Sequence, residues 1–219
     1  MPAREGDGAP SGAAGQAPLV GVLALQGGFQ AHERVLARLH ARVREVRVPT
    51  DLDGIDGLVI PGGESTTMTL GVEREGLSAP LCELVGDGLP VLGSCAGLIM
   101  LDREHLGLMD IRADRNAFGR QINSFEADID FKGMRGGPVR AIFIRAPWIA
   151  EYGQHVEILA EVDGHAVAAR EGQMLAVAFH GELGDDDRVH RLFLDRARVF
   201  AAGRRRGRRV EAGVDGRGS

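Results

Sequence analysis

The chain has 219 residues, two of them cysteine, and a formal net charge of −5. That length suits one sizeable α/β domain, and two cysteines exclude a disulfide framework and point to a reducing compartment, the cytoplasm. An acidic chain is not a nucleic-acid-binding domain as a whole, and no apolar run is long enough for a membrane span. Residues 1–18 are Gly, Ala and Pro with scattered charges and no apolar leader core, so they are expected to form a disordered extension and not a signal peptide.

The body opens with Leu19-Val20-Gly21-Val22-Leu23-Ala24-Leu25, a continuous apolar run suited to a strand buried on both faces. Gln26-Gly27-Gly28 turns into a helix on which Phe29, His32, Leu36, Leu39 and Val43 recur at helical spacing. Val46 and Val48 mark a second strand stopped by Pro49, and Gly57-Leu58-Val59-Ile60 a third that ends at Pro61-Gly62-Gly63-Glu64-Ser65. Thr66 to Gly88 reads as helical, broken around Gly76 and Pro80. Leu89-Pro90-Val91-Leu92 is a further strand, and Leu98-Ile99-Met100-Leu101 opens a helix. This alternation predicts a parallel sheet covered on both faces, with a site at the carboxyl ends of its strands.

Beyond Asp110, Gln121 to Phe131, Val139 to Ile144, His155 to Glu161, Ala166 to Arg170 and Met174 to Phe179 read as strands. Gly164 and Glu171-Gly172 mark two of the turns between them. A last helix buries Val189, Leu192, Phe193, Ala197 and Phe200. Residues 201–219 hold six Arg against Glu211 and Asp215, and are expected to be a basic, solvated and disordered tail. The pattern contains no zinc-spaced Cys/His cluster and no phosphate-binding Walker loop.

Chemistry concentrates at Gly93-Ser94-Cys95-Ala96-Gly97, between a strand and a helix. Gly-x-nucleophile-x-Gly at such a junction is a nucleophile elbow, here carrying Cys. A sharp turn strains the nucleophile's backbone, small neighbours allow close approach, and the helix start offers free N–H groups to an oxyanion. A buried Cys that only packs between strand and helix is the alternative. A Cys nucleophile needs a base and the base an orienting group. His180 closes an apolar strand, and Glu182 follows two residues later, on the same side of an extended backbone.

The elbow, His-x-Glu and Gln26-Gly27 together resemble the class I glutamine amidotransferases. More narrowly, Pro61-Gly62-Gly63-Glu64-Ser65-Thr66-Thr67-Met68, Arg115-Asn116-Ala117-Phe118-Gly119-Arg120-Gln121, Ser124-Phe125-Glu126-Ala127-Asp128, Phe143-Ile144-Arg145-Ala146-Pro147 and Asp187-Arg188-Val189-His190 are similar to the glutaminase subunits of pyridoxal 5′-phosphate synthase. The resemblance covers about residues 19–200, taken as the amidotransferase domain. It implies an α/β, flavodoxin-like three-layer fold with a mostly parallel central sheet, helices on both faces and extra antiparallel strands in the C-terminal half.

The resemblance also implies that Cys95 attacks the side-chain amide of L-glutamine, that His180 moves protons and that Glu182 holds His180. Gly63 and Ala96 would form the oxyanion hole. Gly63, Glu64, Ser65, Arg115, Ile144, Arg145 and Gln26 would surround the substrate. Ammonia would pass to a separate synthase subunit, the obligate activating partner. Pyridoxal phosphate is then the product of the complex, and no cofactor or metal is implied for this chain. Three positions depart from the family pattern: Gly181 stands where Pro is usual, Asp102-Arg103-Glu104-His105-Leu106-Gly107 is a shortened loop, and Ser94 replaces Thr. Two other readings stay open: a catalytically weak glutamine-binding regulatory subunit, and the glutaminase of another pathway such as imidazole glycerol phosphate synthesis.

Overall fold

A computed structural model describes residues 16–115 and 124–214. Its parallel half is built from β1 (Leu19–Leu23), α1 (Phe29–Arg38), β2 (Arg42–Val46), β3 (Gly57–Ile60), α2 (Ser65–Arg74), α3 (Ser78–Gly86), β4 (Val91–Ser94) and α4 (Ala96–Leu101). There follow β5 (Ile111–Asp114), β6 (Ser124–Ile129), β7 (Val139–Ile144), β8 (Trp148–Tyr152), β9 (Glu157–Val162), β10 (His165–Glu171), β11 (Met174–Val177) and α5 (Arg188–Val214).

The strands of the large sheet run β2-β1-β3-β4-β11-β10-β8-β5, with β9 on β10, while β6 and β7 form a separate ribbon. The first five are parallel, in the strand order of flavodoxin-like folds. The remaining pairings are antiparallel. Two glycines show why helices cover both faces. Gly57 abuts Phe193 and Ala197 of α5, where a Cβ would lie 2.8 Å from the Phe193 ring. Gly93 abuts Gly97 and Leu101 of α4, and its β3 partner is Ile60, three residues from Gly57 and so on the opposite face. The core lies on both sides of this sheet, with Val20, Val22, Leu23, Leu58, Val59, Ile60, Phe179 and Phe193 fully buried.

Sequence periodicity located most of these elements and missed four features. Val43, expected on the first helix, lies in β2, because α1 ends at Arg38 and the chain reverses before Arg42. β5 and β8 were not expected: Ile111–Asp114 and Trp148–Tyr152 are short and mix apolar with charged residues, so neither alternates cleanly. Pro80 does not break a helix but sits in the first turn of α3, where its missing N–H costs nothing. The last helix does not stop at Phe200. α5 continues to Val214, contrary to the expected disorder of 201–214, and Arg204 binds the Gly54 and Ile55 carbonyls and the buried Asp56 carboxylate at 2.7–2.9 Å. Residues 1–15 of the expected extension and 121–123 of the expected strand lie outside the described residues. Gln16–Pro18, inside them, already touch the body: the Gln16 carbonyl accepts from Arg205 and the Pro18 carbonyl from the Arg42 N–H.

No helix among the described residues is long and apolar enough to cross a membrane.

Candidate active site

Four parallel strands end beside one another, and each is followed by a residue of the site: Gln26 after β1, Pro61–Ser65 after β3, Cys95 after β4 and His180 after β11. Between them lies a cavity of about 530 Å³, in the usual range of roughly 300–1,000 Å³ for small-molecule sites. Every residue that the resemblance assigns to the site lines it: Gln26, Gly63, Glu64, Ser65, Cys95, Ala96, Arg115, Ile144, Arg145, His180 and Glu182. Of the Arg115–Gln121 motif only Arg115 falls among the described residues.

Cys95 sits at φ 50°, ψ −107°, a conformation that costs a non-glycine residue on the order of 1–3 kcal/mol. The strain is held from both sides. The Cys95 N–H donates to the Val177 carbonyl at 2.8 Å, and Gly97 presses α4 so closely on β3 that a Cβ there would fall 2.0 Å from the Ile60 carbonyl oxygen. Cys95 is 8% exposed, and its thiol lies 3.9 Å from the Ile144 carbonyl.

His180 Nδ1 and Glu182 Oε1 are 2.6 Å apart. The backbone that brings them together is not extended. A turn closed by the Leu183 N–H on the His180 carbonyl at 3.4 Å folds Glu182 back under the ring. The pairing expected from i, i+2 spacing is present, but a turn produces it. Burial disfavours a charged His180, yet hydrogen bonds to Cys95 and Glu182 outweigh it, and the pKa is pushed up to about 10. Burial pushes the Glu182 carboxyl up, and the His32 and His180 rings beside it more than reverse that, holding it below the ordinary carboxylate range. A thiol, an imidazole and a carboxylate in this sequence can activate a sulfur nucleophile and shuttle the proton it gives up.

The opposite wall is the Pro61–Ser65 loop, laced to Gln26-Gly27-Gly28. Gln26 Oε1 accepts the Glu64 N–H at 2.9 Å, and the Gly62 carbonyl accepts the Gly28 N–H at 2.9 Å. Gly27 is at φ +95°, where a Cβ would strike the Gly62 carbonyl. Gln26 therefore pins the loop as well as lining the cavity. Neither the Gly63 nor the Ala96 N–H donates to a protein atom among the described residues, so both are free to bind a ligand oxygen. Gly62 belongs to the loop motif but was assigned no role in the site; a Cβ there would lie 2.5 Å from His180 Cε1 and 3.3 Å from Cys95 Cβ. The Glu64 carboxylate caps α2 through the Thr66 and Thr67 N–H groups. The Thr67 hydroxyl and these N–H groups hold it at about 2.

Arg115 donates to Thr66 Oγ1 at 3.2 Å and reaches His105 Nε2 at 2.7 Å, while His105 Nδ1 meets the buried Asp102 at 2.7 Å. His105 and Asp102 belong to the shortened loop, and their support of Arg115 had no signal in the spacing. Arg145, at φ 45°, turns the chain after β7. Among the described residues no group of three or more His, Cys, Asp or Glu side chains is placed to hold a metal ion.

The model of the SNO glutamine amidotransferase family matches residues 22–199. The chain belongs to that family. It is 50% identical over 191 residues to the pyridoxal 5′-phosphate synthase subunit PdxT of Streptomyces avermitilis, covering 83% of this chain and 95% of that protein. It is 52% identical over 184 residues to the subunit of the same name from Pelotomaculum thermopropionicum, covering 81% and 94%. A crystal structure of a glutamine amidotransferase superposes with a TM-score of 0.77 at 41% identity, covering 81% of this chain and 98% of its own. The structure of PurLQS from Thermotoga maritima, at 14% identity and a TM-score of 0.67 over 82% of this chain and 98% of its own, shares the fold alone.

Proposed function

We propose that this chain is the glutaminase subunit of a pyridoxal 5′-phosphate synthase, hydrolysing L-glutamine to L-glutamate and ammonia through a Cys95 thioester. The observation that carries the reading is the strained Cys95 at the elbow, facing the same cavity as a His180–Glu182 pair 2.6 Å apart. Cys95 Sγ attacks Cδ of the glutamine side chain. As the tetrahedral oxyanion forms, the Gly63 and Ala96 N–H groups donate to it. Its collapse breaks the C–N bond, and the proton on His180 goes to the departing ammonia. Water then attacks the thioester with His180 taking its proton, and glutamate leaves with the Sγ–C bond broken. Glu182 keeps the imidazole oriented and stabilises its charged form.

Arg115 suits the α-carboxylate of glutamine, since a guanidinium fork matches that geometry. Ile144 and Arg145 contribute backbone groups at the far end, and Glu64 and Ser65 the rim of the loop. The ammonia goes to a separate synthase subunit, and a reducing compartment such as the cytoplasm suits a free nucleophilic Cys. The test is ammonia release from glutamine by the chain alone and with the synthase subunit. Activity that is absent in both conditions overturns the reading. Cys95→Ala is expected to abolish release while leaving the melting temperature unchanged; turnover retained in that variant removes the thioester.

A further inference from the structure

Behind the triad lies a group of buried polar side chains that the reaction above does not use. Glu182 spends Oε1 on His180, and its Oε2, fully buried, finds no hydrogen-bond partner among the described residues. His32 Nε2 lies 3.5 Å from that oxygen and 3.0 Å from Ser94 Oγ. His32 Nδ1 is 2.9 Å from His190 Nε2, whose own Nδ1 is buried without a partner. His32, Ser94 and His190 are at most 1% exposed.

The protonation of the two rings follows from this geometry. Burial lowers the pKa of His32, and burial together with the neighbouring His32 lowers that of His190 to about 3, so both are neutral at pH 7. A neutral imidazole has one donor and one acceptor. With the shared proton on His32 Nδ1, His32 Nε2 would accept from the Ser94 hydroxyl but also turn its lone pair toward a carboxylate, and His190 Nδ1–H would be a buried donor without an acceptor. With it on His190 Nε2, His32 presents Nε2–H to Glu182 and Ser94, and the unpartnered His190 Nδ1 is a bare lone pair. The carboxylate selects the second arrangement.

The terminal torsion of a glutamate is broad and soft, so one bond at Oε1 does not fix the carboxylate plane. Gly181, next to Glu182, leaves the backbone permissive too. We propose that His32, held in its donor form by His190, is a positioning residue: it donates to the second oxygen of Glu182 and so keeps the first on His180. The proposal rests on the reading of His180 as the proton carrier in glutamine hydrolysis.

Two measurements test it. Nitrogen-15 NMR of the imidazoles in the unmodified chain is expected to show His32 and His190 neutral at pH 7 with the proton on Nε2 of each. A proton on His32 Nδ1 overturns the proposal whether or not any variant folds. In the complex with the synthase subunit, His32→Leu is expected to lower kcat for glutamine at least tenfold with KM within twofold, and to lower the pKa of His180. His32→Gln, which keeps an amide donor, is expected to recover most of the rate. A Leu variant with the parent kcat, or one whose loss lies in KM, refutes the positioning role. An inactive parent complex would instead overturn the glutaminase reading, and the NMR result would still decide the tautomer.

Discussion

Replacing Gly181 by proline probes the joint between base and orienting carboxylate. Gly181 occupies the second position of the turn His180–Leu183, and its φ lies outside the left-handed region. That excludes the primed turns, which need a positive φ there and would bar proline. There is room for a Cβ at this position. A Cβ would meet His190 Cε1 at 3.7 Å, His190 Nδ1 at 3.9 Å and Phe179 Cε2 at 4.0 Å, all ordinary contacts. The Gly181 N–H donates to no protein atom among the described residues, so its loss leaves no carbonyl unpaired. A compatible proline stabilises by about 0.4–1 kcal/mol through the unfolded chain. For a chain of this size that raises the melting temperature by roughly 1–4 °C. The same restriction favours the folded turn and hence the His180–Glu182 alignment, so synthase-stimulated kcat is expected to rise about two- to fivefold, the rate equivalent of about 0.4–1 kcal/mol, with KM for glutamine unchanged. Calorimetry and steady-state ammonia release read the two effects. A variant that melts lower, or melts higher and turns over no faster, refutes the alignment reasoning.

Three further perturbations separate the parts of the site. Glu182→Gln is expected to lower kcat by up to roughly 10²–10⁴-fold, the worth of the His180 acid–base step that it orients, and to bring the pKa of His180 down from about 10 as followed by NMR titration. In the parent, the stability that His180 contributes is fully present below pH 6.5 and fades as pH rises through about 10. That of Glu182 is present above its ordinary value of 4.5 and fades as pH falls through its depressed one, so denaturant titrations of parent and variant should differ most between these limits. Gly62→Ala puts a methyl against His180 and Cys95 and is expected to cost at least tenfold in kcat, about 1.4 kcal/mol, with circular dichroism unchanged. Arg204→Ala leaves Oδ1 of the buried Asp56 without its cation, Oδ2 keeping only the Leu19 N–H, and is expected to destabilise by about 1–3 kcal/mol, whereas truncation after Arg206 changes stability by no more than about 0.5 kcal/mol; urea melts distinguish the two.

What the sequence determined by itself was local. Strand, Gly-Ser-Cys-Ala-Gly and helix follow one another without interruption, so the elbow could be read from neighbours alone, and the apolar run of β1 declared a doubly buried strand. Close spacing likewise coupled His180 to Glu182, although a turn and not a strand joins them. The motif residues from Gln26 to Arg145 are scattered along the chain. The resemblance grouped them, and the meeting of four strand ends around one cavity put them together. Arg204 read as part of a free basic run because nothing near it in sequence could bind it; its partners Gly54, Ile55 and Asp56 lie about 150 residues earlier. His32 read as one more member of an apolar helical stripe. Periodicity reports that a side chain is buried, but not which buried side chains meet, and the contacts of His32 with Ser94, Glu182 and His190 span 62 to 158 residues of sequence. Only the packing of α1 and α5 on the same face of the sheet brought those polar groups behind the triad, where a low-dielectric interior makes each unpaired atom matter.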